Sequence, residues 1–178
     1  MNFIIKKKIE ECLIINYSKF ADSRGYFSEL YKNSDFQNLI PKFNIKQINF
    51  SSSRKNVFRG MHLQIKPKMS KAMMVVKGEA TLLAYNMLHK NFDFKKLIKI
   101  KSNENDNLIF WAPYYYARGF ISHSSQTYIQ YFCDGTYSNK GEYNFAFDLS
   151  KFNIKNLKLS DKDKYGPAYN EVKKTIQF

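Results

Sequence analysis

Val57-Phe58-Arg59-Gly60-Met61-His62-Leu63-Gln64-Ile65 is the stretch on which the fold turns. Val57, Met61, Leu63 and Ile65 fall on one face of an extended chain, with Arg59 interrupting, while Gly60, His62 and Gln64 fall on the other. Period-2 alternation of this kind predicts a β-strand with one polar side, and it sets His62 away from the main apolar face. Working outward, Ile45 to Phe50 repeats the pattern, with Gln47 and Asn49 opposite Ile48 and Phe50. Lys71 to Val76 and Ala80 to Tyr85 read as strands flanking a hairpin-like break at Lys77-Gly78-Glu79. Ile98 to Ile100, Leu108 to Trp111 and Thr127 to Cys133 follow; the last puts Ile129, Tyr131 and Cys133 on one face. Upstream, residues 11 to 16 read as a strand, Asp22 to Gly25 as a turn leading into a strand from Tyr26, and Ser34 to Ile40 as a short helix stopped by Pro41. A short helix is expected after Pro167. Many short strands about ten residues apart predict an all-β sandwich or barrel with short peripheral helices.

Composition agrees with that class. The 178 residues fit one domain, 1–178, and 16 Phe and 13 Tyr suit a pleated, half-buried surface better than a helical bundle. Cys12 and Cys133 are too few for a disulfide framework or a four-cysteine zinc site. The opening Met1-Asn2-Phe3-Ile4-Ile5-Lys6-Lys7-Lys8 sets apolar residues before charges, the reverse of a signal peptide, and no run of 18 apolar residues occurs; a soluble, cytoplasmic protein without a membrane partner is expected. The net charge of +14 attracts phosphate-bearing partners. Its 29 basic residues are dispersed and only four are arginines, so a nucleic-acid partner is not expected and a phosphorylated small molecule accounts for the charge equally well.

Single residues leave their roles open. A lone histidine on a strand is often structural, Tyr131 is one of many tyrosines that could fill a core, and Lys71 is one of many lysines. Asp163 follows Ser160 by three residues, the spacing of a helix capping box. His89 and His123 lie outside the usual ligand spacing relative to His62, so no metal site is expected.

Taken together, the ordered motifs resemble the dTDP-4-dehydrorhamnose 3,5-epimerase family. They are Asp22-Ser23-Arg24-Gly25-Tyr26-Phe27-Ser28-Glu29, Gln47-Ile48-Asn49, Arg59-Gly60-Met61-His62-Leu63-Gln64, Lys71 before Lys77-Gly78-Glu79, Trp111-Ala112-Pro113, Gly119-Phe120, Tyr131, and Leu159-Ser160-Asp161-Lys162-Asp163, spanning residues 13 to 165. The resemblance implies a cupin-type antiparallel double-sheet barrel (a jelly roll), a homodimer with exchanged N-terminal strands, and no cofactor. It also implies proton chemistry at C3, C5 or both of a nucleotide-diphospho-4-keto-6-deoxy sugar, dTDP- or GDP-linked, for surface polysaccharide synthesis. In that scheme His62 is the base, Asp163 its orienting partner, Lys71 the stabiliser of the enolate and Tyr131 the opposing proton donor. Arg24, Phe27, Glu29, Gln47, Asn49, Arg59, Arg118 and Tyr137 are the implied substrate contacts. The chain departs from the family pattern at Arg118, where a histidine is usual, at Leu82, where an aspartate is usual, and at Phe50, where a histidine is usual. Two rivals are a cupin 3,4-ketoisomerase, which typically carries His-x-His where this chain has His62-Leu63-Gln64, and a non-catalytic sugar- or nucleic-acid-binding barrel.

Overall fold

Strand β6 (Phe58–Gln64) is central to the second of two antiparallel sheets in the computed structural model, which describes residues 2–178. Its sheet runs in the order β13 (Glu142–Asn144), β6, β11 (Tyr116–Ser122), β8 (Glu79–Asn86), β9 (Ile98–Asn103). The facing sheet runs β1 (Phe3–Ile9), β2 (Cys12–Tyr17), β10 (Leu108–Ala112), β7 (Lys71–Lys77), β12 (Gln126–Cys133), β5 (Gln47–Arg54). A separate two-stranded hairpin, β3 (Phe20–Asp22) and β4 (Gly25–Phe27), stands apart from both. Helices are short: α1 (Asn33–Leu39), α2 (Asp161–Lys164) and α3 (Tyr169–Thr175). The expected double-sheet barrel with peripheral helices is therefore present.

Three apolar clusters hold it together. Between the sheets lie Ile14, Met73, Val75, Leu82, Phe110, Phe120 and Ile129, contributed by both layers. Outside the first-named sheet, Met61, Leu63 and Ile65 pack with Tyr85, Phe145 and Tyr169 beneath the C-terminal segment and α3. Outside the other, Phe36, Ile40 and Phe43 of the α1 region cover Leu13, Ile15 and Phe132. Each fully buried large side chain contributes about 1.5–3 kcal/mol. The apolar face of β6 thus packs outward under the C-terminal cover, and its polar face looks into the barrel.

Two readings of the sequence change here. Gly78, at φ +76°, does turn the chain between β7 and β8, but the two strands enter different sheets, so the break is a corner between layers and not a hairpin. Arg59 does not share a face with Met61, because β6 carries a bulge: Arg59 pairs with Phe120 and His62 with Arg118, three residues against two. The extra residue reverses the alternation, so Phe58 joins the outer core while Arg59 reaches the inner side. The Lys6-Lys7-Lys8 segment, which has no strand pattern of its own, forms edge strand β1 by pairing with β2.

Gly60 makes the bulge possible. Its φ of +141° suits only glycine, and a Cβ there would lie 2.7 Å from Gly119 Cα, just as one on Gly119 would lie 2.7 Å from the Arg59 carbonyl. The two glycines let β6 and β11 touch backbone to backbone. Gly60→Ala is expected to destabilise the fold by about 2–4 kcal/mol in chemical denaturation; a loss below about 0.5 kcal/mol would show that the bulge does not need glycine.

Candidate active site

At one end of the barrel the two sheets leave a cavity of about 600 Å³ between them. His62 enters from β6, Arg118 from β11 beside it, Tyr131 from β12 and Lys71 from β7, with Asp163 on α2 closing one side. Period-2 geometry explains the grouping. Tyr131 and Cys133 share one face of β12; Cys133 pairs with Lys71 and Tyr131 with Met73, so Lys71 and Tyr131 are near neighbours on one wall. His62 stands on the opposite wall.

His62 and Asp163 meet directly. The Nε2 of His62 donates to Asp163 Oδ1 at 2.6 Å, linking residues 101 apart in sequence. The carboxylate is 4% exposed and its Oδ2 also lies 3.5 Å from the Gly60 amide, so the bulge that turns Arg59 inward presents an N–H to the same aspartate. Burial works to raise the Asp163 pKa, but the hydrogen bond and charge of His62 outweigh it and hold the carboxyl below its ordinary value. The capping reading of Asp163 is half right. Ser160 is the N-cap of α2 and its Oγ accepts from the Asp163 amide at 3.2 Å, while the Asp163 carboxylate turns away to His62. With Nε2 committed, Nδ1 is the imidazole nitrogen that has no protein partner among the described residues. The imidazole is oriented to accept a proton there.

The facing wall is cationic and phenolic. Burial, then the charge of Arg118, lowers Lys71 from the ordinary lysine value to about 8, which leaves it mainly protonated at neutral pH. Burial pushes the Tyr131 phenol up to about 12, although a hydrogen-bonded contact of 3.2 Å with Ser51 Oγ and the charge of Arg59 oppose the rise. Tyr131 therefore keeps its proton through the physiological range. Arg59 is braced by Nε donating to Ser53 Oγ at 3.0 Å and Nη2 to the Ser52 carbonyl at 3.2 Å. Cations outnumber anions around the cavity, since Asp163 serves His62 and Glu142 is paired with Lys162. The arrangement can take a proton from one side of a small ring, return one from the other, and hold negative charge in between. Among the described residues no group of three or more His, Cys, Asp or Glu side chains could hold a metal ion, and no helix is long and apolar enough to cross a membrane.

The implied contacts divide into two sets. Asn49, Arg59 and Arg118 line the cavity with His62, Lys71, Tyr131 and Asp163. Arg24, Phe27, Glu29, Gln47 and Tyr137 do not. Arg24 sits at the tip of the β3–β4 hairpin, paired with Asp22 at 2.6 Å and highly exposed, and Phe27 is 66% exposed. Glu29 accepts a hydrogen bond from Asn2. Gln47 lies one register step beyond Asn49, receiving the Tyr137 amide at 2.7 Å, and the Tyr137 ring is exposed with its hydroxyl on Glu142. Leu82 is buried between the sheets, and Phe50 sits at the cavity edge, 59% exposed.

Ser51 and Lys162 line the cavity without having been singled out from sequence. Ser51 was within reach: the alternation of Gln47 and Asn49 continues through Ser51 and Ser53 on the inward face of β5. Lys162 stands in the Leu159–Asp163 motif of the resemblance, but local spacing gives it no role, because a lysine one residue before Asp163 looks like any exposed helix residue until α2 is docked.

A family model described as dTDP-4-dehydrorhamnose 3,5-epimerase matches residues 6–171. The chain is similar to the dTDP-4-dehydrorhamnose 3,5-epimerase of Shigella flexneri, 29% identical over 172 residues, which are 93% of this chain and 95% of that protein. Among solved structures it is similar to the dTDP-4-dehydrorhamnose 3,5-epimerase from Sulfolobus tokodaii, with a TM-score of 0.83, 30% identity and 96% and 97% of the two chains covered. It is also similar to the dTDP-6-deoxy-D-glucose-3,5-epimerase from Legionella pneumophila, solved in complex with dTDP-4-keto-L-rhamnose, with a TM-score of 0.83, 25% identity and 94% and 93% covered.

Lys71 gives a stability test. Its folded pKa lies below the ordinary 10.5, so the unfolded chain holds this proton more tightly and the charged lysine opposes folding at neutral pH. That penalty is full below about pH 8 and shrinks as pH rises toward 10.5. Lys71→Met should raise Tm at pH 7, and its advantage over the wild type should narrow between pH 8 and 10. An equal advantage at both ends, or none, would contradict a charge strained by burial.

Proposed function

The chain belongs to the dTDP-4-dehydrorhamnose 3,5-epimerase family, and from that premise we propose that it inverts C3, C5 or both of a nucleotide-diphospho-4-keto-6-deoxy sugar, dTDP- or GDP-linked, as an isomerase needing no cofactor. A 4-ketone acidifies the hydrogens on its two neighbouring carbons. His62, held by Asp163, removes one of them at Nδ1, and the electron pair moves onto the C4 oxygen as an enolate. Asp163 stabilises the resulting imidazolium without itself taking the proton. Lys71 stabilises the enolate oxygen, a fixed cation where charge develops. Tyr131 then gives its phenolic proton to the same carbon from the other face, and the centre is inverted. The observation that carries this reading is the placement of His62 and Tyr131 on opposite sheets across one cavity, with a cation beside the tyrosine.

The surplus of positive charge suits a diphosphate, and of the contacts lining the cavity Asn49 and Arg59 are offered to it, Arg59 being fit for bidentate phosphate bonding. The remaining contacts come from a second copy of the chain. Phe20, Tyr26 and Phe27 on the β3–β4 hairpin are 51%, 64% and 66% exposed, and a two-stranded hairpin is marginal alone. In a homodimer with exchanged N-terminal strands, Arg24, Phe27 and Glu29 of one copy reach the other copy's cavity, while Gln47 and Tyr137 bind at its rim. A nucleotide-sugar substrate favours a cytoplasmic setting and a part in surface polysaccharide synthesis. The ketoisomerase alternative is disfavoured by Gln64, whose amide donates to the carbonyls of Pro67 at 2.9 Å and Thr136 at 2.8 Å.

Solvent deuterium incorporation, followed by NMR over dTDP- and GDP-linked 4-keto-6-deoxy sugars, tests the proposal. Exchange is expected at C3, at C5 or at both, and none with any of them would end the epimerase reading. His62→Asn should lower exchange by at least about 10³-fold, while Tyr131→Phe should keep exchange at a carbon served by His62 but lose inversion there. Unchanged inversion in Tyr131→Phe would remove the tyrosine from the mechanism.

A further inference from the structure

Arg118 is the one buried arginine among the described residues, 4% exposed, and no carboxylate among them pairs with it. It stands directly across the β6–β11 register from His62 and lines the cavity. Its Nη1 donates to the carbonyls of Pro113 at 3.0 Å and Ala112 at 3.4 Å, which fastens the side chain to the end of β10 and the turn beyond it. Nε and Nη2 have no partner and are closed off from solvent. The nearby acid, Asp134, is spent on the Ser70 amide at 2.6 Å. A buried cation left unpaired is costly, so its presence beside the cavity calls for a compensating charge in the occupied site. Because the two unpartnered nitrogens are sealed from the cavity, a sugar does not hydrogen-bond to them in this arrangement. The charge acts through space.

We propose that Arg118 is a positioning residue: a fixed positive charge behind the cavity wall that, together with Lys71, makes this end of the site a seat for an oxyanion. The inference rests on the epimerase reading for the identity of the oxyanion, the enolate at C4, but not for the effect on Lys71. Lys71 is faced by Arg118 from β11, Cys133 and Tyr131 from β12, Glu142 from β13, Lys162 from α2 and the His62–Asp163 pair. Beyond burial itself, Arg118 and Lys162 press the lysine toward its neutral form, whereas Cys133 and Glu142 favour the charged one. Arg118 is the strongest of these neighbours, and as a buried, anchored group it cannot relax away. No bond to Arg118 forms or breaks during turnover.

The test compares the wild type with Arg118→Gln and Arg118→Lys, using enzyme labelled with ¹³C at lysine Cε and the Lys71 resonance assigned through Lys71→Arg. In the wild type the Lys71 signal should titrate near about 8. In Arg118→Gln its midpoint should rise by about one pH unit, and kcat should fall about 10- to 100-fold with KM within about twofold. Arg118→Lys, whose ammonium is itself lowered by the same burial, should raise the midpoint less than Arg118→Gln does and recover part of kcat. An unmoved Lys71 in Arg118→Gln would overturn the proposal. Should Arg118→Gln not fold, Arg118→His replaces it, since histidine is neutral above about pH 7 and should raise Lys71 in the same way. If the wild type exchanges no keto sugar, that alone removes the epimerase reading, while the lysine titration still decides the electrostatic claim.

Discussion

A buried carboxylate has to be answered by a partner, and Asp163 is answered by His62 through a 2.6 Å hydrogen bond that joins the C-terminal segment to the middle of a central strand. The rest of this end of the barrel depends on that bond. For it to form, α2 must be capped and docked, which Ser160 achieves, and β6 must present His62 inward while its apolar residues pack outward under the C-terminal cover. The bulge at Gly60 meets both needs. It turns Arg59 to the cavity side, exposes an amide to Asp163, and relies on Gly119 to let the strands approach. One local irregularity thus bears on both members of the His62–Asp163 pair.

The cationic side of the cavity, built from β7 on one sheet and β11 on the other, works against stability. Lys71 and Arg118 are like charges in a poorly solvated place, and Arg118 has two nitrogens without partners. Hydrophobic replacements there would suit the fold better. Their retention makes sense if the missing countercharge is the enolate that we propose develops at C4 of the substrate. Tyr131 stays protonated for the same reason that Lys71 is strained, because burial disfavours the phenolate as it disfavours the ammonium. The same burial that strains Lys71 keeps Tyr131 protonated.

Much of this could be read from the chain. Alternation along residues 129–133 correctly set Tyr131 and Cys133 on one face, and the strand around His62, the short helix before Pro41 and the double-sheet class were legible from period and punctuation. On β5 the pattern was visible but its sense was not: Gln47, Asn49 and Ser51 point inward while Ile48 and Phe50 are exposed, since an edge strand beside a polar cavity inverts the usual rule. Arg59 was misplaced because a bulge depends on the partner strand, and nothing within residues 57–65 reports Gly119. The His62–Asp163 pair was available only through resemblance to a family, as local spacing around Asp163 pointed by itself to a helix cap. Both were present. The partnerless state of Arg118 was not legible at all, since it depends on carbonyls and carboxylates brought near by folding.

The central claim is that one sugar ring lies between His62 and Tyr131, with its ketone toward Lys71. A crystal structure with an unreactive nucleotide-diphospho sugar, such as the 4-hydroxy analogue of the keto substrate, measures this most directly. The ring is expected inside the cavity, with the His62 imidazole and the Tyr131 hydroxyl on opposite faces within about 3.5 Å of C3 or C5, and the C4 oxygen on the Lys71 ammonium. A ring bound outside the two sheets, or with both side chains on one face, would contradict it.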